Sequence, residues 1–360
     1  MLSGPFTYND YKKFVNSKII FSKNFKQNQL QPSSIDLSLS KECYEISSSF
    51  LSPNSKVRNK LNNFINKKIN LQNGYIFKKN ITYLVKLNEE LKLTKKIFGK
   101  CNPKSSTGRL DIFCRTIIDF CDEYEKIPYG YNGEIFLEIT SQAFNIKFTQ
   151  GDSLNQLRLV NYKNNILNDK KLLSCHNKYP IIFDKFNSPI GPVVSKGLKI
   201  SVDLTNSNTI VAYKAKKKSP LLVFNHIKKH KVNDFWIPLT SKNGSLTILP
   251  KEFYILKSKE KIRIPKNITG EMIPYDTAIG DFRAHYAGFF DPGFGEKNGS
   301  HAVLEVKTNE VSFSLEDGQI IATLLFEYLQ TIPKVTYGKK INSNYQNQNL
   351  ALSKHFEVIS

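Results

Sequence analysis

The sequence lacks long apolar runs and paired cysteines, and these absences exclude several classes of protein. No uninterrupted apolar stretch approaches the roughly 18–20 residues that a helix needs to cross a bilayer. The first residues contain neither a basic region nor an apolar core, so we expect no secretory signal. The five cysteines form no Cys-x-x-Cys pair, which indicates free thiols in a protein of the reducing cytoplasm.

Negative charge is scarce: 52 Lys and Arg residues outweigh 31 Asp and Glu residues, which gives a net charge of +21. The lysines are scattered in short runs, and this favours a solvated lysine-rich surface. Attraction of a polyphosphate metabolite is the second interpretation. We predict neither nucleic acid nor a membrane as a partner, but the charge leaves open a non-catalytic protein that binds nucleotides or nucleic acid.

The sequence contains an internal duplication. Separated segments of the first half recur in the second half at a nearly constant offset in residue number. The offset is 254 − 83 = 171 for one pair of segments. It is 167 for three other pairs, for example 305 − 138 = 167. The matching pairs are Tyr83–Lys86 with Tyr254–Lys257, Ser34–Leu37 with Ser201–Leu204, Leu137-Glu138 with Leu304-Glu305, and Gly151 with Gly318. Such an offset indicates a duplicated domain rather than chance.

Short β-rich segments alternate with turn dipeptides through most of the chain. This pattern predicts an all-β fold, with a sandwich or barrel in each half and few helices. An amphipathic pattern from Thr7 to about Ile20 predicts one short N-terminal helix. We therefore predict a first domain over residues 1–170, a second domain over 171–335, and a polar C-terminal lid or tail over 336–360.

The two copies keep different chemical groups. The first copy carries Lys104, Ser105, Ser106 and Arg109, which supply two cations and two hydroxyls in one short segment. A triphosphate requires such a cluster of charge-assisted donors. The second copy has the segment 275–280 at this place and has lost most of these groups. The asymmetry predicts a site to which both halves contribute.

Several segments in a fixed order resemble the dCTP deaminase branch of the trimeric dUTPase superfamily, in its long, internally duplicated form. The resembling segments are Gln31–Leu37, Pro103–Leu110, Gly133–Glu138, His285–Gly293, Ala302–Glu305 and Tyr345–Lys354. The resemblance covers nearly the whole chain. It implies that each half is a jelly-roll-type β-barrel, and that chains self-associate because three such barrels usually close around one axis.

The resemblance also implies roles for individual residues. The residues implied to bind substrate are Lys104, Ser105, Ser106 and Arg109 at the phosphates, His285, Tyr286, Ala287 and Asp291 at the base and sugar, and Tyr345, Gln346 and Lys354 on the tail. Alternatively, the resemblance implies a catalytic role for Ser105 and Arg109, which would reach the attacked carbon and the catalytic glutamate. The general acid/base would be the strand glutamate, Glu138 or Glu305. The first-half hairpin has lost its Pro-Gly turn and gained acidic residues, so the choice between the two glutamates stays open.

The implied reaction is hydrolytic deamination of dCTP to dUTP and ammonia, which supplies dUTP for thymidylate synthesis. The chain lacks the Pro-Cys-x-x-Cys segment of zinc-dependent deaminases. We therefore expect no protein-bound metal, and Mg²⁺ only with the substrate triphosphate. Hydrolysis of dUTP to dUMP, alone or after deamination, is the nearest alternative. In this superfamily that reaction uses an aspartate at the α-phosphate, whereas the strand glutamates favour deamination.

Overall fold

The structure is a computed structural model that describes residues 3–205, 209–274, 282–285, 288–338, 341, 343 and 345–358. Strands make up most of its regular structure, so the prediction of a mainly β fold is confirmed. Within these described ranges, no helix is both long enough and apolar enough to span a membrane. The chain divides into two compact units, called unit 1 and unit 2 below.

Unit 1 comprises Met1–Asn164, Lys218–Lys231 and Ser353–Ser360. Its strands are β1 (Gly4–Pro5), β2 (Ile20–Phe21), β3 (Ile35–Leu37), β4 (Leu39–Ile46), β5 (Ile65–Asn70), β6 (Tyr75–Phe77), β7 (Thr82–Lys92), β8 (Ile97–Pro103), β9 (Ile112–Ile118), β10 (Lys126–Ile127), β11 (Asn132–Ser141), β12 (Ile146–Phe148), β13 (Asn155–Asn161) and β17 (Leu222–Val223). Its helices are α1 (Tyr8–Asn16), α2 (Val57–Leu61) and α3 (Ser105–Gly108), with a 3₁₀ turn at Gln27–Gln29.

The described strands of unit 1 form three sheets. One sheet has the order β5-β4-β7-β11-β9, with β2 beside β7. The second has the order β1-β13-β8-β10, with β3 beside β13, and the third has the order β17-β12-β6. The strand β17 comes from the segment 218–231 and pairs with β12 in parallel, so a distant part of the sequence extends this last sheet.

The predicted N-terminal helix is present as α1, but it ends earlier than the sequence pattern suggests. At its start the backbone N–H of Thr7 donates to the carboxylate of Asp10 at 3.0 Å, which satisfies one of the free donors of a helix N-terminus. Tyr11 and Phe14 form its buried face. Lys18 then adopts a left-handed conformation with φ of +58°, which no helix can continue, and β2 follows.

Unit 2 comprises Asn165–Lys217 and Val232–Leu352. Its strands are β14 (Ile182–Phe183), β15 (Leu198–Ser201), β16 (Ala212–Ala215), β18 (Trp236–Leu239), β19 (Ser245–Ile248), β20 (Phe253–Ile262), β21 (Ile268–Pro274), β22 (Phe282–His285), β23 (Phe289–Phe290), β24 (Ser300–Thr308), β25 (Phe313–Glu316) and β26 (Ile320–Tyr328). Its helices are α4 (Asp169–Lys178) and α5 (Val232–Phe235). The described strands form sheets ordered β18-β16-β20-β24-β22, with β14 beside β20, then β15-β26-β21-β23, and β19-β25.

The strand pairing repeats the duplication that the sequence shows. In unit 1, Gly99 of β8 pairs with Leu159 of β13. In unit 2, Gly270 of β21 pairs with Phe326 of β26. The offsets in residue number are 270 − 99 = 171 and 326 − 159 = 167, which are the offsets of the sequence matches. The two halves therefore share a register, and residues of one can be compared with residues of the other position by position.

Gly99→Ala is expected to destabilise unit 1 by about 1–3 kcal/mol, the usual cost of overpacking. A Cβ at this position would lie 2.7 Å from the carbonyl oxygen of Arg158, which is a backbone atom with little freedom to move. Gly191→Ala is the control, because nothing lies within 4 Å of the Cβ that it would add. Urea unfolding of both variants measures the difference, and equal midpoints would contradict the packing argument.

Candidate functional site

The predicted phosphate segment lies at the end of β8 and in the short helix α3 of unit 1. The backbone N–H of Lys104 donates to the carbonyl of Leu154 at 2.9 Å, and a hydroxyl of α3 donates to the same carbonyl at 2.8 Å. These bonds fix the segment against the start of β13. Ser106 and Arg109 are buried, whereas Lys104 and Ser105 are half-buried. A ligand arriving from solvent would therefore meet Lys104 and Ser105 first.

A cavity of about 510 Å³ opens beside this segment in unit 1. Its lining includes the lysines Lys26, Lys104 and Lys354 and the carboxyl groups of Asp36 and Asp152. Lys104 and Asp36 form an ion pair. The lysines outnumber the carboxyl groups among these lining residues, so the cavity suits an anionic group. Its volume is typical of a site for a small molecule.

The end of the C-terminal tail forms part of this cavity. The hydroxyl of Ser353 donates to the carbonyl of Ser106 at 2.7 Å, which anchors the tail beside α3. Lys354 follows and lines the cavity. Burial, together with the nearby charge of Lys104, lowers the pKa of Lys354. Burial also raises the pKa of Asp152 to about 6. The structure thus brings Lys104 and Lys354 of the predicted site to one cavity.

The earlier part of the tail contacts the predicted sugar-binding turn within unit 2. The side-chain oxygen of Gln346 accepts a hydrogen bond from the backbone N–H of Gly295 at 3.1 Å. Its amide nitrogen donates to the carbonyl of Gly293 at 3.2 Å. Asp291, which lies just before the turn at Gly293, is buried, and so is Tyr345. The predicted residues Asp291 and Gln346 therefore belong to one neighbourhood of unit 2.

Three predicted substrate residues, His285, Tyr286 and Ala287, are consecutive in the sequence, and the structure describes only the first of them. His285 is the last residue of β22, and only its backbone position is described. Tyr286 and Ala287 lie outside the described residues, and so does the segment 275–281. Contacts of these side chains with a base or sugar therefore stay predictions.

Glu138, the candidate acid/base of the first half, is buried and bound by two neighbours. Nη2 of Arg115 lies 2.6 Å from its Oε1, and the hydroxyl of Ser49 donates to its Oε2. The guanidinium of Arg115 is fixed in turn, because its carbon lies 3.6 Å from the ring centre of Tyr124 and 4.4 Å from that of Phe113. Glu138 is therefore part of a structural ion pair.

Glu305 takes the equivalent position in unit 2, next to a different residue. Its register partners are Ile255 on β20 and His285 on β22. The β9 partner of Glu138 is Arg115. The register position that carries an arginine in the first half thus carries a histidine in the second. Glu305 is also buried, with 5% of its surface exposed.

The sequence interpretation missed two features of these sites. It names Gly151 only as a duplicated position and does not single out Asp152, although Asp152 lines the cavity beside Lys104. It also overlooks Arg115 as the partner of Glu138. An alignment of β9 with β22 would have revealed this residue, because it places Arg115 beside Glu138 in the first copy and His285 beside Glu305 in the second.

Histidines of the chain do not form a recognisable metal site in the described parts of the structure. His226 and His230 have their ring centres 6.1 Å apart, and Nε2 of His230 lies 3.1 Å from the carbonyl oxygen of Val223. Over the described residues, no three His, Cys, Asp or Glu side chains are grouped so that they could hold a metal ion. The expectation of catalysis without a protein-bound metal stays a prediction.

Two family models match the chain, one in each half. Residues 3–163 match the model of the 2′-deoxycytidine 5′-triphosphate deaminase N-terminal domain, and residues 168–356 match that of the C-terminal domain. The crystal structure of 2′-deoxycytidine 5′-triphosphate deaminase from Agrobacterium tumefaciens is similar over 92% of this chain and 97% of that chain, with 36% sequence identity and a TM-score of 0.88. A comparison with the curated proteins gives no match.

Arg115→Met is expected to destabilise unit 1 by about 3 kcal/mol, because it leaves the buried carboxylate of Glu138 without its cation. The estimate takes the lower end of the usual range, since the Arg115 side chain is 27% exposed. The double variant Arg115→Met/Glu138→Met should recover most of this loss, because apolar side chains often replace a buried ion pair at little cost.

Urea unfolding measures both variants. Lys126→Met is the control, since it breaks an ion pair with Glu123 in which both partners are exposed, and such pairs contribute little to stability. An equal loss of stability in the single and the double variant would contradict the ion-pair interpretation.

Proposed function

The chain belongs to the 2′-deoxycytidine 5′-triphosphate deaminase family, and from this premise we propose how its residues bind and convert the substrate. The enzyme deaminates dCTP, a step of nucleotide metabolism. The reaction is a hydrolysis of the amidine C–N bond that gives dUTP and ammonia, and it supplies dUTP for thymidylate synthesis. One observation carries the assignment: the matches to both domains of the family together cover nearly the whole chain.

Glu305 is the general acid/base of this reaction. The arrangement around Glu138 supports this choice, because Arg115 and the hydroxyl of Ser49 already bind its two oxygens. Both carboxyl oxygens of Glu138 are thus already bound to neighbouring side chains. Glu305 lies opposite His285 instead, in the half that keeps the turn 291–293.

Deamination requires several proton movements at one carbon, and a single carboxyl group can perform them in turn. Glu305 takes a proton from a water molecule while the oxygen of that water attacks C4 of cytosine. Glu305 then passes the proton to N3 of the base. It then takes the proton of the new hydroxyl and passes it to the amino group, which leaves as ammonia. The C4 carbonyl of uracil forms, and Glu305 returns to its starting state. Such acid/base catalysis contributes about 10²–10⁴-fold in rate.

The first half supplies the groups that bind the triphosphate. Lys104 and Lys354 line the same cavity, and their charges suit phosphate oxygens. Ser105 is the more accessible of the two adjacent serines and donates its hydroxyl. Arg109 and Ser106 are buried, which favours a role behind the segment or at the reacting group over contact with the outer phosphates. Mg²⁺ arrives with the triphosphate.

The second half supplies the groups that bind the base and sugar. Asp291 accepts a hydrogen bond from the 3′-hydroxyl, with His285, Tyr286 and Ala287 at the base. The turn after Asp291 is tight: a Cβ on Gly293 would lie 2.7 Å from Cβ of Thr336. This lack of room supports selection against a 2′-hydroxyl. Tyr345 and Gln346 of the tail, which adjoin the same turn, help to exclude water.

The assembly and the finer fold follow from the family resemblance. Each half forms a jelly-roll-type β-barrel. In this superfamily three barrels enclose one axis, whereas one chain provides only two. Chains therefore self-associate. Each half consists of several sheets, and the pairing of β8 with β13 in the first half has the same register as that of β21 with β26 in the second. This shared register supports the same barrel topology in both halves.

Glu305→Gln is expected to lower the rate of ammonia release from dCTP by about 10²–10⁴-fold, because an amide cannot accept the proton of water. Glu138→Gln is the matched control, since it makes the same change at the equivalent position of the other half and should keep most of the rate. The assay uses metal-stripped enzyme with excess Mg²⁺. Activity lost in Glu138→Gln but kept in Glu305→Gln would reverse the assignment, and activity lost on metal stripping would refute metal-independent catalysis.

Lys354→Met is expected to raise KM for dCTP while kcat changes little, because the lost contact stabilises ground state and transition state alike. A charge-assisted contact contributes about 1.5–3 kcal/mol, which corresponds to roughly a 10–100-fold loss in kcat/KM. Lys163→Met is the control, because Lys163 is an exposed lysine of the same unit. Steady-state kinetics measure both variants, and an unchanged KM in Lys354→Met would show that the tail lysine does not bind phosphate.

A further inference from the structure

The last part of the C-terminal tail, residues 353–357, is built into unit 1 together with a second short segment of that unit, residues 218–231. The backbone N–H of Glu357 donates to the carbonyl of His230 at 2.9 Å. An isolated parallel bridge joins His230 to Phe356. The tail end is therefore held by main-chain hydrogen bonds, and its side chains have fixed positions from which to act on their neighbours.

His355 lies at the centre of this tail end, and none of its surface is exposed. The centre of its ring lies 4.5 Å from that of Phe224, which in turn lies 5.1 Å from the ring centre of Phe148. Burial lowers the pKa of His355 to about 3, so the imidazole is neutral at neutral pH and carries a single proton. A polar ring among aromatic side chains requires a hydrogen-bonding partner.

That partner is the hydroxyl group of Ser353. Its Oγ lies 2.9 Å from Nδ1 of His355 and 2.7 Å from the carbonyl oxygen of Ser106. A carbonyl oxygen cannot donate, so the one hydroxyl proton is directed to Ser106. Ser353 must then accept at its other contact, and the donor is the N–H at Nδ1 of His355. These two hydrogen bonds, called the tail bridge below, run from His355 through Ser353 to Ser106.

The tail bridge ends on a carbonyl of α3 whose usual helical donor is directed elsewhere. In a longer α-helix the N–H of Leu110 would donate to the carbonyl of Ser106. Here that N–H donates to Thr107 instead, at 3.1 Å, because α3 is only a single turn. The hydroxyl of Ser353 takes the position of this donor. The tail bridge thus satisfies one of the terminal carbonyls of α3 and fixes the helix from the side of the tail.

The helix fixed in this way carries groups of the proposed phosphate site. Ser105 and Ser106 are its first two residues, and Lys104 comes directly before it. The hydrogen bond from Lys104 to Leu154 holds the start of this segment, and the tail bridge holds the carbonyl of Ser106. Because Ser105 lies between these two anchors, its hydroxyl keeps a fixed place only while both are made.

We propose that His355 is a positioning residue for substrate binding: through Ser353 it holds α3, and with it Lys104 and Ser105, in the geometry that binds the triphosphate of dCTP. The inference rests on the proposed function, which assigns these groups to the phosphates. His355 itself is fully buried and so does not contact the substrate. Its whole effect depends on the proton at Nδ1, because only that tautomer donates to Ser353.

Asparagine and glutamine at position 355 separate this role from simple filling of the core. The amide nitrogen of asparagine occupies nearly the place of Nδ1 of histidine, whereas that of glutamine lies nearer to the place of Nε2. His355→Gln is expected to raise KM for dCTP by about 3–10-fold with little change in kcat, the loss of one hydrogen bond that positions binding groups. His355→Asn should leave KM close to the wild-type value, because it keeps a donor for Ser353.

Steady-state kinetics of the full-length variants measure these effects, and urea unfolding shows that each variant is folded. His176→Gln is the matched control, because it makes the same change at a buried histidine of unit 2 and should leave KM unchanged. A folded His355→Gln variant with the wild-type KM would overturn the proposal. An equal rise of KM in His355→Asn and His355→Gln would also overturn it, since the ring rather than its Nδ1 donor would then matter.

Ser353→Ala tests the middle of the tail bridge with the loss of a single oxygen atom. It should raise KM as much as His355→Gln does. The double variant Ser353→Ala/His355→Gln should raise KM no further, because both side chains act through the same path. Multiplied effects in the double variant would overturn the proposal, since they would show that His355 and Ser353 act independently. A wild-type KM in Ser353→Ala would overturn it even where His355→Gln does not fold.

Lys104→Met reports separately on the proposed function. It removes a group assigned to the phosphates and leaves the tail bridge in place, so KM should rise. An unchanged KM in Lys104→Met would count against the phosphate role of this lysine, whatever the bridge variants show. A raised KM in Lys104→Met, together with wild-type values in His355→Gln and Ser353→Ala, would overturn the positioning role alone.

Discussion

A buried carboxyl group must be compensated, and the differences between the two halves follow from how each one meets this constraint. In the first half, Arg115 compensates the charge of Glu138. The second half has His285 opposite Glu305. The same strand glutamate therefore has an arginine as its neighbour in one copy and a histidine at that register position in the other.

The comparison between halves is informative because the backbone register is shared while the side chains differ. The strands of the second half pair at the positions that the sequence offsets predict. Pairs between β8 and β13 correspond to pairs between β21 and β26 at offsets of 171 and 167 residues. Gly99 and Gly270 both lie at the close approach of neighbouring strands, where a Cβ has little room. Duplication thus supplied a scaffold twice, and the side chains on it diverged between the two halves.

The sequence predicts the parts of the site that depend on local pattern. It predicts the mainly β fold, the N-terminal helix, and the asymmetry between the phosphate segment and the hairpin, because strand periodicity and spacing are visible in one dimension. It does not predict that Arg115 binds Glu138, since that contact depends on the register of β9 against β11.

The discontinuity of unit 1 has a consequence for how the protein is made. Its first segment, which ends at Asn164, leaves the ribosome long before β17, which pairs with an edge of β12, and longer still before Ser353 reaches α3. A nascent chain therefore carries an unpaired edge of β12 until the segment 218–231 has been made, and such edges invite association with other chains. The cavity beside Lys104 gains the wall formed by Lys354 only after all of unit 2 has been made.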